Sequence, residues 1–128
     1  MIDHPWKLLL IDSDPADAEL ASKLLKQAIA DCQCITVNDA VAFAEQLAVG
    51  GFSAIISEQK LGWARGTDVL ATFSRQYPGT RTVLFAASLP ADTHKLQQEV
   101  GLSAWLQKSS TGFLRLPEVV KSMLQSPH

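Results

Sequence analysis

The run Phe52-Ser53-Ala54-Ile55-Ile56-Ser57 stops at a carboxylate, Glu58. Ala54, Ile55 and Ile56 show no polar alternation, the pattern of a strand buried on both faces. Such a strand needs a covering layer on each side. The charge that ends it lies at the carboxyl edge of the sheet, where open α/β sheets place ligands and chemistry. Lys7-Leu8-Leu9-Leu10-Ile11 ends in the same way at Asp12, Cys34–Val37 is a short second strand, Thr82–Ala87 is followed by Ser88, and Ser103–Leu106 stops before Lys108.

Helical signals fill the intervals. Asp14 is a good N-cap, Pro15 suits the first helical position and Asp17 suits the positive end of the helix dipole. Ala21, Leu24, Leu25 and Ala28 then recur at helical spacing to about Ala30. Asn38 or Asp39 caps a helix from Ala40 to Val49, with Val41, Ala44, Leu47 and Ala48 inward and Gly50-Gly51 ending it. A loop from Gln59 to Arg65, broken by Gly62 and Gly66, leads to a helix from Thr67 to Gln76 with Val69, Leu70 and Phe73 inward. Pro90–Val100 reads as a polar helix, and Pro117 starts a last one with Val119, Val120 and Met123 inward. Strands alternating with helices predict a three-layer α/β sandwich around a five-stranded parallel sheet in the order 2-1-3-4-5. Asp12, Glu58, Ala87 and Lys108 then share one edge.

The 128 residues predict a single domain with an ordered core from about Trp6 to Gln125, Ser126-Pro127-His128 being an unstructured end or the start of a linker. A net charge of −2 without a basic block disfavours direct nucleic-acid binding. No signal peptide is readable and no stretch approaches the ~20 apolar residues of a membrane span, so a cytoplasmic location is expected. Cys32 and Cys34 are too close for a structural disulfide and too few for zinc. His4, His94 and His128 are scattered, and no Ser-His-Asp set is readable.

Four segments together resemble the receiver domain of bacterial two-component response regulators. They are Leu8-Leu9-Leu10-Ile11-Asp12 with Asp14-Pro15, Ile55-Ile56-Ser57-Glu58 with Gly66 eight residues on, the apolar Val83–Ala87, and Gly101-Leu-Ser-Ala-Trp-Leu-Gln-Lys108. The resemblance implies the flavodoxin-like fold and a pocket with an acidic pair for Mg²⁺, a phosphoacceptor Asp, a Thr or Ser that senses the phosphoryl group, and a Lys that pairs with it. Asp12 and Lys108 match. Ser13 stands in place of the second carboxylate, Glu58 in place of the acceptor Asp, and Ala87 in place of the hydroxyl residue. Gly62 and Ser109 stand where prolines are usual.

These departures have physical consequences. Ser13 removes a charge from a site whose metal favours carboxylates. Glu58 is one methylene longer, so its oxygens sit roughly 1 Å or more from where an Asp would hold them, a misplacement that can cost ~10²-fold in rate. Ala87 has no hydroxyl. The resemblance implies a three-carboxylate site balanced by Mg²⁺ and lysine. Here Asp12 and Glu58 would be balanced by Lys108 and, if it turns inward, Lys60. No cofactor is expected, beyond weak Mg²⁺ at Asp12 and Glu58. Trp105 matches the family's aromatic switch position, and Trp63, in an exposed loop, is a candidate interface anchor.

The reading that follows is a non-enzymatic, phosphorylation-independent regulatory module. Its partners would be proteins: a histidine kinase, an output domain or a second copy, docked on the face made by the fourth helix, fifth strand and fifth helix. The alternatives are a working receiver phosphorylated on Glu58, or a small flavodoxin-like cofactor-binding protein. The second needs a phosphate-cradling loop after strand one, where three carboxylates and Pro15 stand instead.

Overall fold

The computed structural model describes residues 5–125. Among them lie strands β1 (Trp6–Ile11), β2 (Cys32–Val37), β3 (Ala54–Ser57), β4 (Arg81–Ala86) and β5 (Ala104–Gln107). They alternate with helices α1 (Pro15–Ala28), α2 (Ala40–Val49), α3 (Gly66–Gln76), α4 (Thr93–Val100) and α5 (Ser110–Gln125). All strand pairs are parallel and the order is β2-β1-β3-β4-β5. This is the α/β sandwich expected from the alternation, because parallel neighbours need crossover connections. Ser126-Pro127-His128, read as a linker start, and His4 lie outside the described residues.

Period-two geometry divides each central strand between two cores. Leu8, Leu10 and Ile56 face Ala18, Ala21 and Leu25 of α1 and Leu116, Val120 and Leu124 of α5. Leu9, Ile11 and Ile55 face Phe43 of α2 and Val69, Leu70 and Phe73 of α3. Both faces being covered, the strands carry no polar alternation. Residues Leu8 to Ile11 and Ala54 to Ile56 are essentially inaccessible.

Asp14 caps α1 by accepting from the N–H groups of Ala16 and Asp17, and Pro15 opens the helix as expected. The buried stripe is Ala18, Ala21, Ser22 and Leu25, so Leu24 and Ala28 lie off it. Asp39 caps α2, but the helix is turned from its predicted orientation. Phe43 is the buried residue, Leu47 is half-buried, and Val41, Ala44 and Ala48 face water. Phe43 explains the rotation. Its ring stacks at 5.8 Å from Trp63 and 6.4 Å from Phe73, and an aromatic of that area outweighs alanine and valine for the inner position.

Pro117 does not start the last helix. It lies inside α5, which begins at Ser110. Ser109 supplies the start: its hydroxyl accepts from the Gly112 N–H at 3.0 Å, the geometry of a serine N-cap. Pro117 lacks the N–H that would bond the Phe113 carbonyl, and it is one of the buried residues of α5. Gly66, predicted as a loop breaker, is the first residue of α3.

Gly66 also holds the end of β3 in place. Its N–H donates to the Gln59 carbonyl at 2.8 Å, and a Cβ there would stand 2.0 Å from the Glu58 carbonyl oxygen. Replacing Gly66 by Ala forces that backbone apart. The variant is expected to lose about 3 kcal/mol of stability, read as a lower urea midpoint at unchanged m-value.

Candidate functional site

The sheet ladder itself places the edge residues. The N–H groups of Asp12, Glu58 and Lys108 donate to the carbonyls of Val37, Ile11 and Ala86 at 3.1, 3.0 and 2.7 Å. Each residue therefore extends its strand by one hydrogen bond and then releases its side chain over the carboxyl edge. Asp12, Ser13, Glu58, Lys60, Ala87 and Lys108 all border one shallow depression there, so the sequence-predicted pocket residues do converge.

Lys108 is its centre. Its side chain is 6% exposed, and Nζ lies 2.6 Å from Asp12 Oδ2, 3.0 Å from Asp17 Oδ2 and 3.1 Å from Glu58 Oε1. An ammonium has three N–H donors, and here three carboxylates surround it. The remaining oxygens of the two buried acids are also engaged. Asp12 Oδ1 accepts from the Asp14 N–H at 3.0 Å. Glu58 Oε1 accepts from the Ala87 N–H at 3.1 Å, and Oε2 accepts from the N–H of Gln59. Ala87 thus contributes its backbone where a hydroxyl was expected to act.

Ser13 and Lys60 do something different from their neighbours. The Ser13 hydroxyl donates to the Leu61 carbonyl, tying the loop after β1 to the loop after β3. Lys60 is exposed, and among the described residues no ion pair joins it to Glu58. The expectation that Lys60 is a counter-charge is corrected. Its backbone bridges to Arg65, and the residue stays exposed at the border of the depression, the favourable place for an ammonium. The residue that sequence reasoning missed is Asp17. Its place in the first turn of α1 was read as a dipole effect, yet that turn also overhangs the end of β1. Three carboxylates therefore face one ammonium, an excess of two negative charges, with the surplus toward Asp17, whose side chain is 33% exposed.

Trp63 lies back on the core beside Phe43, half-buried rather than in an exposed loop. Its indole Nε1 is sealed without an acceptor. Trp105 is half-buried and meets His94 edge-on at 5.3 Å. Neither borders the depression. Cys32 and Cys34 are free thiols on β2, and burial pushes both up, Cys32 to about 11, which disfavours the nucleophilic thiolate. A roomier cleft along α1 includes Glu19, Lys23 and Lys26 and touches Asp12 only at one end, so the edge chemistry does not gather in it.

No family model and no curated protein matches the chain in sequence. Solved structures do match in three dimensions. The receiver domain of an HD domain-containing protein from Pseudomonas fluorescens Pf-5 superposes with a TM-score of 0.83 at 20% identity, covering 98% of this chain and 90% of that one. The CheY-like receiver domain protein of Methanospirillum hungatei JF-1 gives 0.79 at 18%, covering 94% of each. The Mn²⁺-bound form of response regulator Rcp1 gives 0.80 at 21%, covering 97% and 98%. The chain has the receiver fold. At such identities the fold is what is shared. Among the described residues, no helix is long and apolar enough to cross a membrane.

The electrostatics predict a definite pH response. Burial alone would depress Lys108, but the carboxylates of Asp12, Asp17 and Glu58 more than offset it and hold the ammonium above the ordinary lysine range. The stabilisation from Lys108 is therefore complete below the unfolded value of ~10.4 and is lost only as pH rises through the higher folded value. Burial raises Asp12, against the hydrogen bonds from Lys108 and Asp14, so its ionisation counts against folding as pH climbs past ~3.9. Lys108→Met removes the shared cation and leaves the carboxylates facing one another. It is expected to cost about 3 kcal/mol at neutral pH and less at pH ~5, where the repelling acids of the variant take up protons. Urea unfolding at the two pH values checks both sign and size.

Proposed function

We propose that this chain is an atypical receiver that works without phosphorylation, as a protein-interaction module in bacterial signal transduction. The observation that carries the reading is the engagement of Lys108 by Asp12, Asp17 and Glu58. In this reading Lys108 takes the place of both metal and phosphoryl sensor. Its ammonium lies between the two buried carboxylates that a divalent cation would have to share. Mg²⁺ does not fit that donor set: Asp12 is occupied on both oxygens, and the Ser13 hydroxyl is committed to Leu61. Glu58 is a poor phosphoacceptor for the same reason. Oε1 is held by the Ala87 N–H and Lys108 and Oε2 by the Gln59 N–H, so turning the carboxylate toward a phosphoryl donor breaks contacts it already makes.

The partner surface is the α4–β5–α5 face. Its support is the exposure of α4, which has no buried residue, the half-buried Trp105 on β5, and Leu114, 71% exposed at the start of α5. A kinase or an output domain fits such a surface. No catalytic role is assigned.

Incubation with acetyl phosphate and Mg²⁺, followed by intact-mass analysis, tests the reading. The chain is expected to gain no phosphoryl group; a stoichiometric adduct on Glu58 sinks the proposal. Lys108→Ala provides the complementary measurement. With the ammonium removed, the three carboxylates can converge on a cation, so Mn²⁺ is expected to raise the melting temperature of the variant by several degrees and to leave the wild-type chain unchanged.

A further inference from the structure

Helix α2 has the most apolar composition of the five helices, with Glu45 its single charge, yet it buries only Phe43. Val41 is 70% exposed and Val49 65%, and Ala44 and Ala48 are exposed as well. At about 100° per residue, Val41, Glu45 and Ala48 lie away from Phe43 and Leu47, and Ala44 borders them on one side. A helix apolar on all sides belongs in an interior, and an uncovered apolar face on a small domain marks a contact.

We propose that the outer face of α2 is a self-association surface, covered by α2 of a second copy packed antiparallel across a two-fold axis. The charges at the helix ends select this occupant. Asp39 is exposed at the N-terminus. Lys7 reaches the C-terminus, where its Nζ donates to the Gly50 carbonyl at 3.2 Å. An antiparallel pair brings Asp39 of each copy toward Lys7 of the other, and it also opposes the two helix dipoles. A parallel pair sets like charges together at both ends. The two-fold places Val41 against Ala48 and Ala44 beside the axis, where small side chains let the helices approach. It also brings the Glu45 carboxylates of the two copies near one another, at the flank of the stripe, where they reach water. A helix of three turns buries less than the ~1,200 Å² of a standard interface, so the dimer is weak and depends on concentration. The surface lies toward the β2 end of the sheet, away from α4 and β5, and the inference does not rest on the function proposed above.

Sedimentation equilibrium from micromolar to millimolar concentration tests it. The wild-type chain is expected to move toward dimer at the upper end. Val41→Glu should abolish association while the melting curve stays unchanged, because Val41 touches little within its own chain. Glu45→Gln should tighten association severalfold, since only a two-fold contact brings that carboxylate to its own copy. A wild-type chain that stays monomeric at millimolar concentration overturns the proposal, as does a dimer insensitive to Val41→Glu or one that Glu45→Gln leaves unchanged. A different protein docking on α2 gives the first of these results.

Discussion

A charge a tenth exposed or less has to be paired, because desolvating it alone costs several kcal/mol or more. Asp12, Glu58 and Lys108 are all in that position, and the parallel register leaves them nowhere else to go. Each is tied by its own backbone N–H to the neighbouring strand. Lys108 therefore links α1, β1, β3 and β5 at a single atom, joining residues 12, 17, 58 and 108 of the chain. The surplus negative charge is tolerable because it falls toward Asp17, where water screens it.

The extra methylene at position 58 can be understood from this arrangement. A glutamate reaches far enough for one oxygen to accept both the Ala87 N–H and Lys108 while the other turns back to Gln59. An aspartate on the same backbone ends about one bond length short and could not meet all three donors. Ala87 then needs no hydroxyl, since its backbone already fills one acceptor position. Ser13 fastens the β1 loop to the β3 loop through Leu61. Residues 13, 58 and 87 thus act together, one tying the loops and the other two meeting at the carboxylate of Glu58.

The fold was legible because doubly buried strands and helix caps leave strong local marks. The apolar runs at Leu8 and Ala54, the Asp14-Pro15 cap and the Asp39 cap all lie where the residues placed them. What failed was the direction in which a side chain points. In α2 every residue but Glu45 and Gln46 is apolar, so periodicity could not choose a face, and the size of Phe43 decided it. Lys60 and Asp17 are both near Glu58 in the fold. One stays exposed without an ion pair to Glu58, and the first turn of α1 brings the other to Lys108. Neither is visible in spacing alone. Pro117 misled because a helix-starting proline is common, while the signal in Ser109, a serine three residues ahead of Gly112, was the truer one.

A site closed in this way has a consequence for which surfaces can adapt. The β5–α5 junction is held by Lys108 and by Gly112, whose missing Cβ lets α5 approach the Gln107 carbonyl. Helix α4, next to it, has no buried residue and no side-chain hydrogen bond at its N-cap. Elements with few buried contacts open at the lowest free-energy cost. Any adjustment on the α4–β5–α5 face therefore falls to α4, against a fixed β5 and α5.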